Sequence, residues 1–342
     1  MVQGAQAGNC PVIEVQELTK KFTVRKRKPG FLGSVVSLFS PYSEEMTAVD
    51  KVNFTIGRGD LVGYLGPNGA GKSTTIKMLT GILVPTSGRV MVDGVDPQED
   101  RRAVARKIGV VFGQKTQLWW DLPVEESFDL LRAVYKIPRR EYQQRLDFFI
   151  NLLHMKDFLS QQTRKLSLGQ RMRADLAASL LHRPPILFLD EPTIGLDILT
   201  RDIVRKFIKE INEKEQITIL LTTHDIQDIE YLARRLILLD RGRVHYDGGI
   251  QEFVQRYAAE KVLTIQVDPP CGAEFFTSLG YEILSAASDR NFEIRLGAQE
   301  TPASLIEQLT EKGIRIDEIN MRKRDLGDTL KLMYSNQQNV EL

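Results

Sequence analysis

A loop of phosphate-binding type follows a short apolar run early in the chain. The run is Leu61 to Leu65, the next eight residues, Gly66 to Ser73, read Gly-Pro-Asn-Gly-Ala-Gly-Lys-Ser, and helical periodicity continues to Leu79. This order of strand, G-x-x-x-x-G-K-[ST] loop and helix is typical of a loop that wraps phosphate groups. Glycines let the backbone approach the anion, and N–H groups at the helix N-terminus then point at it. The pattern therefore predicts an α/β fold with a phosphate site at the carboxyl end of a strand.

Two side chains of this loop carry charge and metal chemistry. Lys72 is expected to reach the β- and γ-phosphates of a nucleotide, and the Ser73 hydroxyl is expected to ligate Mg²⁺. A glycine-rich turn with a chance Lys-Ser pair is the alternative, and the flanking strand and helix disfavour it. The residues predicted to bind the nucleotide here are Gly66, Pro67, Asn68, Gly69, Ala70, Gly71, Lys72, Ser73 and Thr74.

A second predicted strand ends in two adjacent carboxylates. Ile186 to Leu189 is apolar and is followed directly by Asp190 and Glu191. Parallel sheets bind ligands beyond the carboxyl ends of their strands, so both acids are expected near the phosphate site. Asp190 is predicted to hold Mg²⁺ through water, and Glu191 to act as general base toward the attacking water. Two acids alone more often form a solvated strand end, and the phosphate loop upstream makes the catalytic interpretation specific.

Further short apolar runs predict the remainder of a core sheet. They alternate with helical segments, which is typical of parallel strands buried on both faces. A β-branched, alternating pattern predicts an antiparallel β subdomain, and continuous helical periodicity predicts a helical lobe at about residues 120–181. The core runs are Val110–Phe112, Ile186–Leu189, Ile217–Leu221 and Leu236–Leu239, and the antiparallel segments are Val12–Val15, Val49–Ile56 and Arg89–Asp93. The predicted fold class is α/β, in a domain spanning residues 1–257.

A change of composition near Tyr257 predicts a second domain, residues 258–342. Its segments suit a small α+β fold. The predicted strands are Val262–Val267, Phe292–Leu296 and Ile314–Ile319, and the predicted helices cover about Thr301–Lys312 and Leu326–Tyr334.

A five-residue motif between the two phosphate-site segments narrows the family. It reads Leu166-Ser167-Leu168-Gly169-Gln170, and a helix rich in Arg and Ala follows. Here the chain resembles the ATP-binding cassette (ABC) family, specifically the nucleotide-binding subunit of a transporter. The family signature is usually LSGGQ, so this chain departs from it only at Leu168. The resemblance covers about residues 11–257.

The resemblance assigns roles to four further residues. Gln114 matches a glutamine that senses Mg²⁺ and links to the helical lobe, which makes Ser73, Gln114 and Asp190 the expected metal ligands. Asp197 lies in the loop that crosses the dimer interface, and His224 matches the switch histidine at the γ-phosphate. Phe22 occupies the place of an aromatic residue that stacks on adenine, although a lone Phe is more often a core residue.

The family mechanism implies that one chain is incomplete. Two cassettes sandwich two ATP molecules, each held between the phosphate loop of one chain and the signature of the other. The signature residues expected to act on the partner's ATP are Ser167, Leu168, Gly169 and Gln170. The resemblance thus implies an ATPase with ATP and Mg²⁺ as cofactors, and a second copy of the chain or a related cassette as partner.

A separate transmembrane permease is the other expected partner. No apolar run approaches the ~18 residues of a membrane-spanning helix. Trp119 and Trp120 follow Gln114, where such subunits dock in ABC transporters, and Trp is enriched at binding hot spots. Packing of both rings into the helical lobe is the alternative. Lys and Arg number 46 against 45 Asp and Glu, so the chain lacks the basic excess typical of nucleic-acid binding.

An insertion at about residues 23–46 predicts contact with a membrane surface or with the membrane partner. A basic stretch, Lys20 to Lys28, precedes an apolar stretch, Phe31 to Phe39, that would form one face of a short helix. A loop folded on the antiparallel sheet is the alternative. The expected location is peripheral, on the cytoplasmic side of the cell membrane.

The residues after Tyr257 resemble the accessory domain of ABC-2-type exporter subunits. This favours export of a drug, toxin or lipid-like compound. An importer motor, or a soluble regulatory ABC ATPase without a membrane partner, remains as an alternative.

Overall fold

The computed structural model describes residues 11–25, 43–113, 115–257, 261–297 and 301–323. The chain divides into two compact units, one ending at Gly248 and one beginning at Gly249. The boundary predicted after residue 257 thus differs, because a helix that precedes it groups with the second unit. Gln114, residues 26–42 of the predicted insertion and the helix predicted at Leu326–Tyr334 lie outside the described residues.

A six-stranded sheet forms the centre of the first unit, in the order β5-β6-β7-β3-β8-β9. In this order, the five neighbouring strands from β5 to β8 (β5, β6, β7, β3 and β8) pair in parallel. All five residues of β3 and all six of β7 are buried, as expected for central strands covered on both faces. The strands are β3 (Leu61–Leu65), β5 (Ile108–Phe112), β6 (Ile186–Asp190), β7 (Thr218–Thr223), β8 (Arg235–Asp240) and β9 (Arg243–Gly249). The predicted α/β fold class is confirmed.

A three-stranded antiparallel sheet, in the order β2-β1-β4, packs beside the core sheet. Its strands are β1 (Pro11–Arg25), β2 (Ser43–Gly57) and β4 (Ser87–Val92). β1 and β2 form a hairpin that is longer than predicted, with Phe22 opposite Met46 and Arg25 opposite Ser43. The two ends of the predicted insertion, residues 23–25 and 43–46, are therefore strand.

Seven helices of the described residues complete the first unit. Three of them, with two short 3₁₀ turns at Lys156–Phe158 and Thr163–Lys165, make up the helical lobe expected at residues 120–181. The helices are α1 (Lys72–Leu79), α2 (Arg101–Lys107), α3 (Val124–Tyr135), α4 (Arg139–Leu152), α5 (Leu168–Leu180), α6 (Ile198–Glu215) and α7 (Ile226–Leu232). Within the described ranges, each helix is too short or too polar to cross a bilayer.

The second unit contains a four-stranded antiparallel sheet, in the order β11-β12-β10-β13. Leu263, Ile265, Phe276, Phe292 and Leu305 are buried in its core. Its elements are α8 (Ile250–Tyr257), β10 (Lys261–Asp268), α9 (Ala273–Ser278), β11 (Glu282–Ser288), β12 (Asn291–Leu296), α10 (Pro302–Glu311) and β13 (Arg315–Lys323). The sequence patterns missed α8, α9 and β11, which span only eight, six and seven residues.

Candidate active site

The phosphate loop joins β3 to α1 and is packed against neighbouring backbone. Gly71 has φ +103°, and a Cβ there would lie 2.4 Å from the Ala48 carbonyl oxygen of β2. A Cβ on Gly66 would lie 2.3 Å from the Leu239 carbonyl oxygen of β8. Because Gly71 is the N-cap and has no side chain, the first N–H groups of α1 are left for an anion. The loop is thus a preformed turn that requires glycine at both positions.

Lys72 is held inside this loop. Its ammonium donates to the Gly66 carbonyl at 2.7 Å and to the Pro67 carbonyl at 3.1 Å, and the residue is only 5% exposed. Burial lowers the pKa of Lys72, while the nearby carboxylates of Glu191 and Asp190 oppose that shift. A positive charge therefore lies between loop carbonyls and two acids, where an anionic ligand would be attracted.

Asp190 links three elements at the end of β6. The Ser73 hydroxyl of α1 donates to Asp190 Oδ1 at 3.0 Å, and Thr222 Oγ1 of β7 donates to the same oxygen at 2.6 Å. Parallel pairing places Asp190 opposite Thr222. Hydroxyl and carboxylate oxygens are the ligands that Mg²⁺ prefers, so Ser73 and Asp190 fit a magnesium site. Sequence reasoning missed Thr222, whose role depends on strand register.

Glu191 and His224 face each other across the ends of β6 and β7. Glu191 has φ +55°, and its N–H donates to the Thr222 carbonyl at 3.0 Å. Its Oε1 lies 3.4 Å from His224 Nδ1. A cavity of about 370 Å³ adjoins the pair, lined by Ser73, Lys77, Ile82, Phe112, Gly113, Lys115, Asp190 and Glu191. The structure thus brings the predicted Lys72, Ser73, Asp190, Glu191 and His224 together.

A buried acid on α7 holds the segment around His224. Asp228 is fully buried and accepts hydrogen bonds from Thr193 Oγ1, from Thr223 Oγ1 at 3.3 Å and from Arg205 Nε at 2.5 Å. Thr193 lies two residues after Glu191, and Thr223 directly precedes His224, so Asp228 bonds to residues close to both catalytic candidates. The sequence offers no signal for this cluster, because its members come from three separate segments.

The signature residues form the start of α5. Ser167 is the N-cap: its hydroxyl accepts from the Gln170 N–H at 3.2 Å, and Gln170 Oε1 accepts from the Ser167 N–H at 2.9 Å. This reciprocal capping keeps the hydrogen bonds of both residues within the turn. A Cβ on Gly195 would lie 3.1 Å from Leu168 Cδ2, so the unusual leucine packs beside the loop of Asp197. Gly169 lies against Thr200, since a Cβ there would be 2.8 Å from Thr200 Cγ2.

Asp197 caps α6 within its own chain. Its carboxylate accepts from the Thr200 N–H at 2.9 Å and from Thr200 Oγ1 at 2.7 Å, and these bonds lower the pKa of Asp197. The next two residues, Ile198 and Leu199, are 78% and 76% exposed. The first turn of α6 therefore presents apolar side chains to the surface beside a fixed carboxylate.

Phe22 lies on the hairpin that adjoins the phosphate loop. It is half-buried, and the Lys20 ammonium lies 5.3 Å from its ring centroid. The hairpin approaches the loop through Ala48, the backbone neighbour of Gly71.

Gly113, the residue before Gln114, is held at the site. Its N–H donates to the Asp190 carbonyl at 2.8 Å.

The tryptophan pair is exposed. Trp119 is 41% and Trp120 52% exposed, and the Arg171 guanidinium lies 5.6 Å from the centroid of the Trp120 ring. The rings are thus available on the surface rather than packed in the lobe.

Comparison with known proteins identifies relatives of this chain. The ABC transporter family matches residues 49–194. The “Probable multidrug ABC transporter ATP-binding protein YbhF” of Escherichia coli K12 is 38% identical over 239 residues, 69% of this chain, and the chain spans only 37% of that relative's length. The ABC transporter ATP-binding protein NatA of Bacillus subtilis 168 is 33% identical over 222 residues, 65% of this chain and 90% of NatA. Proteins named for methionine and putrescine transport also match.

A solved structure supports the same assignment. The ATP-binding cassette MJ0796, dimeric in a post-hydrolysis state with ADP and Pi, superposes with a TM-score of 0.58 at 28% identity, covering 69% of this chain and 98% of that one. The match with NatA spans most of that relative. The chain therefore belongs to the ABC transporter family, and its first unit has the fold of an ATP-binding cassette.

Proposed function

We propose that this protein hydrolyses ATP as the nucleotide-binding subunit of a transporter whose membrane-spanning subunits are separate chains. The observation that carries the proposal is the convergence of Lys72, Ser73, Asp190, Glu191 and His224 at one edge of the core sheet.

ATP and Mg²⁺ are the proposed ligands of this edge. The N–H groups that open α1 surround the phosphates, and Lys72 exchanges its loop carbonyls for phosphate oxygens. Ser73, Gln114 and Asp190 would hold Mg²⁺, Asp190 through water. When bound, the metal would neutralise charge on the phosphates. Phe22 stacks on the adenine.

Glu191 is the proposed general base. Its carboxylate takes a proton as water attacks the γ-phosphorus and ADP departs as the leaving group. His224, whose Nδ1 lies 3.4 Å from Glu191 Oε1, would donate a hydrogen bond to the γ-phosphate.

Each ATP is proposed to lie between two chains. Ser167, Leu168, Gly169 and Gln170 sit at a helix N-terminus and would face the partner's γ-phosphate. Asp197 and the exposed Ile198 and Leu199 would contact the second cassette, which is another copy or a related chain. MJ0796, described as dimeric, supports this arrangement by similarity.

The membrane partner is proposed to dock at Trp119 and Trp120. Two half-exposed aromatic rings beside Arg171 are the residue types that dominate protein–protein binding energy. The protein would then lie peripherally on the cytoplasmic side of the membrane, with further membrane contact from the basic and apolar stretches of residues 23–46.

Export of a drug, toxin or lipid-like compound is the proposed direction. The name of YbhF, a probable multidrug ABC transporter ATP-binding protein, supports a drug as the substrate, and the resemblance of the second unit to exporter accessory domains supports export. Import is the second candidate, because import proteins also match the chain.

Purified protein tests the chemistry. We expect Mg²⁺-dependent ATPase activity that EDTA and Lys72→Ala abolish. Mg²⁺-independent activity or an active Lys72→Ala variant would contradict the proposal.

Co-purification with a multi-span membrane protein tests the partner, and vesicles reconstituted with that protein distinguish export from import. A soluble regulatory ATPase would purify without one.

A further inference from the structure

A buried carboxylate joins the middle of α5 to the segment that follows β5. Asp175 is 4% exposed, and its Oδ1 accepts hydrogen bonds from Thr116 Oγ1 at 2.8 Å and from the Gln117 N–H at 3.0 Å. The Gln117 side-chain amide donates to the Asp175 main-chain carbonyl at 2.9 Å. Three hydrogen bonds therefore hold two consecutive residues of the segment on a single residue of the helix.

The segment, residues 115–120, connects the active site to the exposed aromatic surface. At one end Lys115 lines the cavity together with Ser73 and Glu191. At the other end lie Trp119 and Trp120, both about half-exposed. Thr116 and Gln117 lie between these ends. Their hydrogen bonds to Asp175 therefore hold the part of the segment that would transmit a displacement from the cavity to the tryptophans.

α5 also connects the signature turn to the segment 115–120. α5 begins at the signature turn capped by Ser167, and Asp175 lies two turns further along. Arg171, between them, contacts the Trp120 ring and is the charged group that faces Asp175. α5 therefore contacts the segment at two places. Arg171 lies against the exposed Trp120 ring, and the buried Asp175 binds Thr116 and Gln117.

Burial of the Asp175 carboxylate costs free energy. Burial raises the pKa of Asp175 to about 6, although the bonds from Thr116 and Gln117 and the charge of Arg171 oppose the rise. Apolar side chains of similar volume often replace buried charges without loss of stability. Stability alone therefore does not explain why residue 175 is an Asp. Its hydrogen bonds to Thr116 and Gln117 of the polar segment do explain it.

We propose that Asp175 is a positioning residue that makes segment 115–120 and α5 move as one body. Nucleotide in the cavity then changes the surroundings of Trp119 and Trp120 together with the position of the signature turn. The inference rests on the proposed function, because it requires nucleotide to bind beside Lys115. It assigns a coupling role to a residue outside the phosphate site and the signature.

Tryptophan emission tests the coupling directly, because both tryptophans of the chain lie in this segment. The full-length protein is saturated with Mg²⁺ and the non-hydrolysable analogue AMP-PNP, and calorimetry measures the affinity separately. We expect the emission change to fall at least threefold in Asp175→Ala and in Thr116→Val, with affinity within twofold of wild type. Asp175→Asn should retain the change, because an amide Oδ1 can accept both hydrogen bonds.

Ser179→Ala is the matched control. Ser179 is 2% exposed on the same helix, and its hydroxyl donates to the Leu176 carbonyl, within the helix. Its emission change should equal that of wild type. If Asp175→Ala does not fold, Thr116→Val carries the test.

Three outcomes would overturn the inference while nucleotide still binds. These are a full emission change in the folded Ala and Val variants, a reduced change in Asp175→Asn, and no emission change in the wild type. Failure of the wild type to bind AMP-PNP would instead contradict the proposed function itself.

Discussion

The Ser73 hydroxyl and Asp190 Oδ1 lie 3.0 Å apart, which joins the first turn of α1 to the end of β6. Thr222 Oγ1 bonds to the same carboxylate oxygen from β7. Two hydroxyl donors, one from α1 and one from β7, thus orient Asp190. The site is therefore largely organised by the protein itself, and a nucleotide would not have to order this carboxylate.

Glu191→Gln should nearly abolish ATP turnover and leave ATP binding intact. The amide keeps the shape of Glu191 but cannot accept the proton of the attacking water, and the loss of a general base costs roughly 10²–10⁴-fold in rate. Because ATP would persist between the two chains, the variant should accumulate as a closed dimer. Phosphate release and size-exclusion chromatography with Mg²⁺ and ATP measure both effects.

Glu213→Gln provides a charge-matched control for this variant, since Glu213 is an exposed carboxylate on α6. It should hydrolyse ATP at the wild-type rate. A wild-type rate in Glu191→Gln would remove Glu191 from the role of base.

Thr222→Val should raise the Mg²⁺ concentration needed for activity. The substitution keeps the volume but removes the 2.6 Å hydrogen bond to Asp190, and the loss of a partner that orients a metal ligand typically costs about 10–100-fold in metal affinity or activity. Thr222→Ser keeps the hydroxyl and should behave as wild type. Equal Mg²⁺ titration curves for the Val and Ser variants would contradict a role for this bond.

Arg205→Leu should destabilise the first unit by about 3–5 kcal/mol, because it leaves the fully buried Asp228 carboxylate without its cation. Urea unfolding followed by circular dichroism measures the free energy of unfolding. Lys214→Ala on the same helix removes the exposed ion pair with Glu210 and should cost less than about 1 kcal/mol. Similar losses in the two variants would show that burial does not distinguish the pairs.

The features that could be predicted from the sequence depend on residues that are close together in the chain. The phosphate loop, the acids that end β6 and the helical lobe each depend on local spacing, so the α/β fold and the place of Lys72, Ser73 and Glu191 could be derived before the structure. Gln114, assigned only by resemblance, lies outside the described residues, and its role remains a prediction.

The missed features depend on residues that are distant in the chain. The Thr222–Asp190 bond requires the register of two parallel strands, and the Arg205–Asp228 pair requires the packing of α6 on α7. The bonds of Thr116 to Asp175 likewise join residues that are 59 positions apart. No local pattern encodes such pairs, because each partner alone resembles an ordinary surface polar residue.

Asp175 should make the stability of the protein depend on pH in a direction opposite to that of an ordinary ion-paired acid. Burial raises the pKa of Asp175 to about 6 from 3.8, so the folded chain binds this proton more tightly than the unfolded chain does. The resulting stabilisation is fully present below pH 3.8 and is lost as the pH rises through 6.

Comparison with Asp175→Asn isolates this contribution, because the amide does not titrate. The free energy of unfolding of wild type minus that of the variant should increase by up to about 3 kcal/mol as the pH falls from 7 to 4. Urea unfolding at several pH values measures the difference, and the other acids cancel because both chains share them. Parallel profiles for the two proteins would mean that Asp175 titrates with an ordinary pKa, and that its carboxylate is better hydrated than its 4% exposure indicates.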